Sequence, residues 1–380
     1  MQVEIKKIVH GGWGLAFHES NTVFIPYTAP GDQVELSVVR RKKNSLFGRI
    51  ERIVEPSPMR REPECPVFGA CGGCHFQHLT YEHELAVKRE NIIENLARLG
   101  RIQVALKNLI PSPERYGYRN HAVIKVDAER RPGFTMMESN TIVPFPSQGC
   151  LLLPEEMRSA ISELPSEALA PGSEVRVRMD KFGAVHFWGL AHRVGPPEIL
   201  METNGLLFPL RPDSFFQVNR FLGGSLMDLA VSLPLKIRRR LLDLYCGVGF
   251  FTLGLSRVVN DAVGIEIDSA AARSAAAAAR LNHISNARFK SADVAFEIRK
   301  MRDFDLVVID PPRLGIPKAV LPSILRLKPR EIIFVSCDPP TFSRDAAALV
   351  EAGYILSEVN AVDLFPATYH AEIVALFRSG

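Results

Sequence analysis

The sequence predicts an α/β protein with three parts: a small N-terminal β-barrel, a mixed central domain and a C-terminal domain built on an open, mostly parallel sheet. Three observations lead to this fold class. The chain has 380 residues, more than one ordinary core requires. Residues 1–55 alternate apolar and polar positions between turn residues, and from residue 212 apolar runs alternate with helical segments. We therefore place the domain boundaries near residues 55 and 211.

Composition is that of a globular chain with a modest positive charge. Hydrophobic residues make up 47% and charged residues 23%, and the formal net charge is +4. No apolar run reaches the roughly 18 to 20 residues that span a bilayer, and the opening MQVEIKKIVHGG lacks the apolar region of a signal peptide. We expect a cytoplasmic monomer with no membrane partner.

The N-terminal segment, residues 1–55, consists of short strands in sequence. The runs TVFIPY, QVELSVVR and LFGRIERIV alternate as half-buried strands do, and GGWG and APGD mark turns. This pattern predicts a small antiparallel barrel. Six basic residues form either a solvated face or a nucleic-acid contact: Arg40, Arg41, Lys42, Lys43, Arg49 and Arg52. The proline-rich run EPSPMRREPE that follows predicts a linker.

The central segment, residues 56–211, opens with three closely spaced cysteines, Cys65, Cys71 and Cys74. HLTYEHELAVKRENIIENLARLG then has apolar residues at helical spacing and ends in Gly100, a natural helix terminator. The runs HAVIKV, TIVPF, SEVRVRM and GAVHFWGL predict strands. Together these patterns predict a domain of mixed secondary structure.

The chain has six cysteines, too few for a disulfide scaffold at this length, and the cytosol keeps thiols reduced. Three of them form the close group above. Cys150, Cys246 and Cys337 each lie in a separate segment. The spacing therefore separates one close group from three single thiols.

Residues 212–380 repeat strand, turn and helix. The compact apolar runs RLLDLYCGVG, DAVGIEID, FDLVVIDPP, EIIFVSCDP and EIVALF predict strands. The alanine-rich SAAARSAAAAARLN between two of them predicts a helix. Alternation of this kind predicts a mostly parallel sheet covered on both faces.

A cofactor site is indicated where the first of these strands ends. LLDLYCGVGF carries Asp243 near the strand end and Gly247 and Gly249 in the turn, where glycines let the backbone approach a ligand. The next strand ends in Glu266, placed to accept hydrogen bonds from ribose hydroxyls, and SADV offers Asp293 to an adenine edge. NAD is the rival ligand, but the GxGxxG fingerprint is absent because FFT follows the second glycine. For the glycines alone, a tight turn without a ligand is the alternative.

Two further strand ends carry reactive side chains. FDLVVIDPPRLG puts Asp310 at one strand end, and EIIFVSCDP delivers Cys337 to the same edge of the sheet. A thiolate that adds to uracil C6 makes C5 able to attack a sulfonium methyl group. The C5 proton must then pass to a base, and Glu372, with His370 nearby, is the candidate. Without these neighbours, Cys337 would more commonly be a buried, inert thiol.

These residues belong to a motif set that resembles the RNA 5-methyluridine methyltransferases, the uridine-C5 enzymes of ribosomal and transfer RNA, along nearly the whole chain. The motifs are SFFQVN, DLYCGVGFF, DPPRLG, SCDP and a terminal HAE. The resemblance implies a Rossmann-like, S-adenosylmethionine-dependent methyltransferase domain with Cys337 as nucleophile and Glu372 as proton acceptor. It also implies S-adenosylmethionine contacts from five residues: Gln217, Tyr245, Glu266, Asp293 and Asp310.

The sequence departs from the family pattern at two positions. Phe250 stands where relatives often carry Asn after the glycines, and Ala371 stands where Val is common. We expect a cofactor contact to be missing or replaced at Phe250. The change at Ala371 is mild.

The resemblance extends to the first two domains. The barrel resembles a TRAM domain, an OB-like RNA-binding module, which favours phosphate binding by its basic residues. CPVFGACGGCHFQ resembles the family's iron–sulfur segment, which implies Cys65, Cys71 and Cys74 as ligands and Cys150 as the distant fourth. By chemistry alone four thiolates suit zinc or a [4Fe–4S] cluster, and the resemblance favours the cluster in a structural role. Cys246 is left as a packing residue.

Alternatives stay open at this point. An amino-methyltransferase also uses DPP-type turns but needs no nucleophilic cysteine. A non-catalytic RNA-binding or chaperone protein would have no use for the intact set of Cys337, Asp310 and Glu372. A radical enzyme would carry a CxxxCxxC spacing, which the first three cysteines do not have. The RNA target, whose base must be flipped out, is either a 23S ribosomal uridine, which the barrel and cluster favour, or a transfer-RNA T-loop uridine.

Overall fold

The computed structural model describes residues 1–191, 195–236 and 238–380 and shows the predicted α/β fold. The N-terminal strands are β1 (Gln2–Glu4), β2 (Lys7–Val9), β3 (Trp13–His18), β4 (Asn21–Pro26), β5 (Gln33–Lys42) and β6 (Ser45–Glu55). They form a six-stranded sheet in the order β1-β5-β6-β4-β3-β2. Burial alternates along the longer strands, so the predicted period-2 pattern is confirmed.

Strand direction in this domain differs from the prediction at one place. Neighbouring strands pair antiparallel except β4 and β6, which run parallel from Thr22↔Ser45 to Phe24↔Phe47. The long β6 has β5 along one edge, and its first residues lie beside β4 on the other. The prediction that all strands of the barrel pair antiparallel is therefore wrong for β4 and β6, because side-chain alternation carries no information about strand direction.

The predicted linker is held firmly against the N-terminal domain. Arg60 forms a buried ion pair with Asp32 at 2.7 Å and also donates to the Tyr27 carbonyl at 2.8 Å. Asp32 further accepts from the backbone N–H groups of Ala29 and Ser57. The segment after the barrel is thus an ordered connection.

The central segment contains a long helix, a sheet and a hairpin. Helix α1 (Tyr81–Arg98) begins at Thr80, whose hydroxyl accepts from the His83 N–H, and it ends at Leu99, beside the predicted terminator Gly100. The other elements are β7 (Asn108–Ile110), β8 (His121–Val126), β9 (Pro132–Thr135), β10 (Ile142–Pro144), α2 (Glu155–Ser162), β11 (Glu174–Met179), β12 (Val185–Trp188), β13 (Ile199–Thr203) and β14 (Leu206–Leu210). The antiparallel sheet has the order β10-β9-β8-β11-β12, and β13 pairs with β14.

The C-terminal domain supplies seven strands of an eight-stranded sheet. Its strands are β15 (Arg240–Leu244), β16 (Asp261–Glu266), β17 (Ala287–Ser291), β18 (Leu306–Ile309), β19 (Glu331–Ser336), β20 (Tyr354–Val362) and β21 (Glu372–Ser379). Its helices are α3 (Gly223–Ser232), α4 (Phe250–Ser256), α5 (Ser269–Leu281), α6 (Val294–Glu297), α7 (Leu321–Leu327) and α8 (Pro339–Glu351). The sheet order is β17-β16-β15-β18-β19-β21-β20-β7. β21 is antiparallel to both neighbours and the other pairs are parallel, which confirms the prediction.

Both faces of this sheet are buried, because successive side chains of a strand point to opposite faces. Leu241 and Ile333 pack on one face with apolar residues of α3, α4 and α5. Leu242 and Ile332 pack on the other face with residues of α1, α6, α7 and α8. The core therefore sits on both sides of the sheet, and the loops at its strand ends are left to form a site.

Two pieces of the central segment are part of this layer structure. β7 forms the edge of the large sheet, where Asn108 to Ile110 pair with Asn360 to Val362 of β20. Helix α1 packs on the face that α8 also covers, and a side chain at Gly100 would meet the Ser343 carbonyl at 3.0 Å. Within the part of the chain described, no helix is long and apolar enough to span a membrane.

Candidate active site

Three predicted catalytic side chains meet at adjacent strand ends. Asp310 directly follows β18, and Cys337 directly follows β19. Glu372 is the first residue of β21, which runs antiparallel to β19 with Ser336 opposite Ile373. Cys337 and Glu372 are the chain neighbours of this last pair, and the Glu372 carboxylate is near enough to raise the pKa of the Cys337 thiol.

The buried Glu372 carboxyl group lies near the half-buried carboxyl group of Asp310. Burial raises the pKa of Glu372 to about 7, and Arg313 opposes this shift. Burial, followed by the nearby Glu372 carboxylate, raises the pKa of Asp310 well above its ordinary value. Like charges at close range disfavour ionisation of both groups. These surroundings favour the protonated form of this carboxyl pair more than water does.

The Cys337 thiol lies in the same electrostatic environment. Burial and then the Glu372 carboxylate raise its pKa to about 12, while Arg313 lowers it. Helix α8 starts two residues later, and its first turn is capped by Asp338, which accepts from the Thr341 N–H at 2.9 Å. The partial positive charge of a helix N-terminus stabilises a thiolate beside it.

The N-terminal domain reaches the loop that carries the nucleophile. His10, between β2 and β3, places its Nε2 3.2 Å from Asp338 Oδ2. Although burial raises the pKa of Asp338, the contacts with His10 and Thr341 outweigh it and hold the pKa at about 2. The His10 ring also meets Tyr369 edge-on, with 5.2 Å between ring centroids. The first domain is thus in direct contact with the edge of the crevice.

The predicted cofactor residues Gly247 and Glu266 are joined by a hydrogen bond. Glu266 Oε2 accepts from the Gly247 N–H at 2.9 Å, and its Oε1 accepts from the Asp268 N–H at 2.8 Å. Gly247 has a φ of 53°, and no atom lies within 4 Å of where its side chain would be. The turn therefore leaves open space next to its backbone.

Tyr245, two residues before Gly247, lies near Asp293. The φ of Tyr245 is 66°, an uncommon value for a residue with a side chain, and strain of this kind is common at ligand sites. Burial and then Asp293 raise the pKa of Tyr245 to about 12. Asp293 caps α6 through the Ala295 N–H. The buried Tyr245 hydroxyl has no hydrogen-bond partner among the described residues.

The remaining residues of the glycine turn face the protein core. A side chain at Gly249, where φ is 85°, would meet Phe289 at 3.0 Å. Phe250 is buried against the rings of Phe208, Phe216 and Phe251, so it fills an aromatic core at this position. The buried Cys246 sulfur lies where a side chain at position 264 would have to fit, in agreement with a packing role.

Gln217 is a buried residue that lines a cavity with its own set of residues. It lines a cavity of about 560 Å³ with Asn219 and Arg220, between the turn after β11 and the β13–β14 hairpin. Its backbone carbonyl accepts from Asn120 Nδ2 at 3.0 Å. Neither Glu266 nor Cys337 lines this cavity. The structure therefore does not place Gln217 in one cavity with the other predicted cofactor residues.

The four predicted cluster cysteines do come together. Cys65, Cys71, Cys74 and Cys150 line one small, mainly apolar cavity. Gln77 Nε2 donates to the Cys74 sulfur at 3.2 Å, and the Gly73 N–H donates to the Cys71 sulfur at 3.4 Å. Among the described residues, no group of three or more His, Cys, Asp or Glu side chains is arranged to hold a metal ion. Four thiols with N–H donors to sulfur fit the general chemistry of an iron–sulfur site, and the cluster stays a prediction.

A buried ionic network that contacts the loop between β20 and Glu372 was not predicted. It consists of Glu84, Lys88, Arg115 and Asp363, whose side chains are at most 8% exposed. In sequence Glu84 and Lys88 form an ordinary i,i+4 pair of a helix surface. Their partners lie far away in the chain, so no local signal indicates the network.

Comparison with known proteins identifies the family. Residues 199–379 match the family described as tRNA (uracil-5-)-methyltransferase, and residues 1–59 match the TRAM domain of tRNA (uracil(54)-C(5))-methyltransferase. The chain is 31% identical to the 23S rRNA (uracil(1939)-C(5))-methyltransferase RlmD of Pseudomonas putida, over its whole length and 94% of that relative. The chain belongs to the RNA uracil-C5 methyltransferase family. A second relative, RlmD of Alkalilimnicola ehrlichii, is 30% identical over 99% of this chain and 96% of its own.

A solved structure confirms the fold of this RNA uracil-C5 methyltransferase. The tRNA (uracil-54, C5)-methyltransferase of Pyrococcus abyssi, solved with S-adenosyl-L-homocysteine, superposes with a TM-score of 0.77 over 99% of this chain and all of its own, at 24% identity. The predicted Rossmann-like domain and N-terminal TRAM domain are thereby confirmed. The predicted enzyme class, an S-adenosylmethionine-dependent RNA uracil-C5 methyltransferase, is confirmed as well. The roles of individual residues stay predictions.

Proposed function

We propose that this enzyme methylates C5 of a uridine in 23S ribosomal RNA through a covalent adduct between Cys337 and uracil C6. The observation that supports the mechanism is that Cys337 and Glu372 adjoin the last residue pair of β19 and β21 and that the Glu372 carboxylate raises the pKa of the Cys337 thiol. The RNA class is supported by the relatives from P. putida and A. ehrlichii, which are named as 23S ribosomal RNA enzymes. A transfer-RNA uridine is the second candidate, because the matching family descriptions and the P. abyssi structure name tRNA.

The residues of the crevice act in two steps. The Cys337 thiol first loses its proton to solvent, helped by Arg313 and the N-terminus of α8, and the thiolate forms a bond to C6 while the C5–C6 π electrons move toward C5 and O4. After methylation at C5, Glu372 takes the C5 proton. The electrons of that C–H bond restore the C5–C6 double bond, and the C6–S bond breaks to return the thiolate. Glu372 passes its proton to solvent, and the returned Cys337 thiolate takes a proton back from solvent, so each complete turnover releases one net proton.

S-adenosylmethionine would supply an electrophilic methyl group to this crevice. Tyr245, Gly247, Glu266 and Asp293 would hold its nucleoside part, because Glu266 binds the Gly247 N–H beside open space and Asp293 lies near Tyr245. The spare oxygen lone pairs of Glu266 suit ribose hydroxyls. Asp310 would keep its proton beside Glu372 and take part as a hydrogen-bond donor.

The RNA would be held in part by a basic and aromatic surface of the N-terminal domain. The Arg40 guanidinium lies 4.1 Å from the centroid of the Phe47 ring, and that ring is stacked with Phe24. Trp13 meets Phe47 edge-on. Bases stack on such rings while arginines bind phosphates. Arg52 is paired with Glu35 and is less available for this purpose.

The cavity formed by Cys65, Cys71, Cys74 and Cys150 would hold a [4Fe–4S] cluster with a structural role. Methyl transfer needs no electron from it. We expect the protein purified without oxygen to contain about four iron and four sulfide per chain. Zinc at one ion per chain, with no sulfide, would contradict the assignment.

The covalent mechanism is tested by trapping. RNA that carries 5-fluorouridine at the target should form a stable adduct with the enzyme in the presence of S-adenosylmethionine, because fluorine does not leave as the C5 proton does. Cys337→Ala should form no adduct and lose methylation by at least about 10⁴-fold. Cys246→Ala, which removes a buried thiol outside the crevice, should still form the adduct. Full activity of Cys337→Ala would exclude the covalent step.

The RNA target is tested with defined transcripts. We expect a domain of 23S ribosomal RNA to be methylated by the purified enzyme and a transfer-RNA transcript to be inert. Mapping 5-methyluridine in both RNAs from cells with and without the gene should show one ribosomal site that disappears. Loss of a T-loop methyl group instead would assign the enzyme to transfer RNA.

A further inference from the structure

The loop before Glu372 has an unusual conformation. It leaves β20 after Val362, passes through Asp363 to Ala371 and enters β21 at Glu372. At its centre Ala367 has a φ of 63°, in the left-handed region that residues with a side chain seldom adopt. Such a conformation costs on the order of 1 kcal/mol and persists only where surrounding contacts hold it. The position of Glu372 therefore depends on what holds this loop.

The loop backbone is held by side chains of the central segment. Glu84 Oε1 accepts from the Ala367 N–H at 2.7 Å, so it binds the strained residue directly. Lys88 Nζ donates to the Phe365 carbonyl at 3.1 Å, and the Tyr118 hydroxyl donates to the Pro366 carbonyl at 3.1 Å. Three consecutive loop residues are thus each bound by a different side chain.

Two of these side chains, Glu84 and Lys88, belong to the buried ionic network described above. Lys88 Nζ lies 2.7 Å from Glu84 Oε1 and 2.6 Å from Asp363 Oδ1. Arg115 Nη2 lies 2.9 Å from Glu84 Oε2, and the Tyr81 hydroxyl donates to Asp363 Oδ2 at 2.9 Å. Burial lowers the pKa of Lys88, but the two carboxylates outweigh it and raise the pKa, so the ammonium keeps its charge.

A network of this kind is poorly explained by stability alone. Two acidic and two basic side chains lose their hydration here, and apolar residues of similar size often stabilise a core as well as a buried ion pair does. The network binds backbone groups of a strained loop, which apolar residues could not do. Its hydrogen bonds go to the loop that ends in Glu372.

The network also joins this loop to the cysteine segment. The N–H groups of His75 and Phe76 both donate to the Ala367 carbonyl, at 2.8 and 3.0 Å, and His75 directly follows Cys74. Arg115 Nη2 donates to the Phe76 carbonyl at 2.7 Å. The Ala367 N–H therefore donates to a side chain of the network, and the Ala367 carbonyl accepts from the backbone just after Cys74.

We propose that Glu84, Lys88, Arg115 and Asp363 are positioning residues that hold Glu372 where it can take the C5 proton. The proposal rests on the proposed function of Glu372. A base displaced by about 1 Å loses on the order of a hundredfold in rate, whereas addition of Cys337 and methylation do not need it. Loss of the network should therefore block the last step, resolution of the methylated adduct, more than the earlier ones.

The test uses the whole enzyme, S-adenosylmethionine and RNA with ordinary uridine. Lys88→Met removes the central charge, and Glu84→Gln removes a charge with little change of shape and serves where Lys88→Met does not fold. We expect both variants to accumulate a methylated protein–RNA adduct on denaturing gels and to resolve it at least about tenfold more slowly than the unaltered enzyme. Arg60→Met is the matched control, because it breaks the ion pair between Arg60 and the buried Asp32 of the N-terminal domain, outside the network. It should accumulate no adduct.

Two results would overturn the proposal. One is adduct resolution at the normal rate in a folded Lys88→Met or Glu84→Gln variant. The other is a parallel fall in RNA binding, methylation and resolution without adduct, which is what general destabilisation produces. Glu372→Gln separates this inference from the proposed function. If Glu372→Gln turns over normally, the proposed base is wrong; if it accumulates adduct and the network variants do not, only the positioning role is wrong.

Discussion

Asp363 and Glu372 are buried carboxyl groups at the two ends of one loop, and their surroundings differ. Asp363 faces the Lys88 ammonium at 2.6 Å and the Tyr81 hydroxyl at 2.9 Å. Glu372 lies near Asp310, a half-buried carboxyl group, and its pKa is raised to about 7. A carboxylate with a cation and a donor is suited to holding a backbone in place. A carboxyl group with a pKa near 7 is suited to exchanging a proton, so one loop carries both an anchor and a base.

The largest expected effect is on turnover when the base is removed. Glu372→Gln should lower the steady-state turnover rate by about 10²- to 10⁴-fold, because general base catalysis contributes that much and Gln cannot take the C5 proton that resolves the adduct. The measurement is steady-state transfer of labelled methyl groups to RNA. Asp363→Asn, at the anchored end, should lose less than Glu372→Gln. Equal losses would remove the distinction between anchor and base.

The two regions should respond with opposite signs in stability. Folding raises the pKa of Glu372 from 4.5 to about 7. Ionisation of Glu372 above neutral pH therefore destabilises the folded state. By linkage, Glu372→Gln should raise the free energy of unfolding by up to about 3 kcal/mol above pH 7, with the gain shrinking as pH falls and absent below pH 4.5. Urea unfolding at pH 5 and pH 8 measures it.

Lys88→Met is the opposing variant in that experiment. The folded state raises the pKa of Lys88, so the charged amine adds stability at all pH values below its unfolded pKa. Its removal leaves buried carboxylates without their cation and should cost about 3–5 kcal/mol at both pH values. A stabilising Lys88→Met, or a destabilising Glu372→Gln at pH 8, would contradict the contrast between the two sites.

The pH dependence of adduct resolution should follow the ionisation of Glu372. Only the carboxylate takes the C5 proton, so the single-turnover rate of resolution should rise about tenfold per pH unit below 7 and level off above it. Arg313 lowers the pKa of Glu372, so Arg313→Met should move the rise to higher pH. Rapid quenching between pH 5.5 and 9 measures both. A rate that does not vary with pH would exclude a base with this pKa.

The sequence was sufficient for those parts of the site that lie at strand ends. Asp310 and Cys337 end buried strands of one sheet, and the carboxyl ends of parallel strands share an edge, so their meeting followed from the pattern. Glu372 was named as the candidate base from the chemistry and its place just before the last strand, and the resemblance supported this role. The strand order that brings β21 beside β19 is not written in any local pattern.

The parts that could not be predicted depend on long-range pairing. Glu84 and Lys88 have the spacing of an exposed helix pair, and only the fold buries them against Asp363. β7 (Asn108–Ile110) is too short to stand out in sequence, yet it completes the large sheet beside β20. Similarly, Phe250 was expected to change a cofactor contact, while its ring packs among other phenylalanines of the core.

The smallest expected effect concerns Gly247, where we expect S-adenosylmethionine to fill the open space beside the backbone. Gly247 has a φ of 53° and open space beside it. Gly247→Ala should cost about 1 kcal/mol of stability from backbone strain and weaken S-adenosylmethionine binding about tenfold, because the methyl group would occupy ligand space. Gly172→Ala is the control, since Gly172 also has a positive φ, 75°, and open space but lies in another domain. Calorimetry should show unchanged binding for Gly172→Ala, and equal binding by both variants would place the cofactor elsewhere.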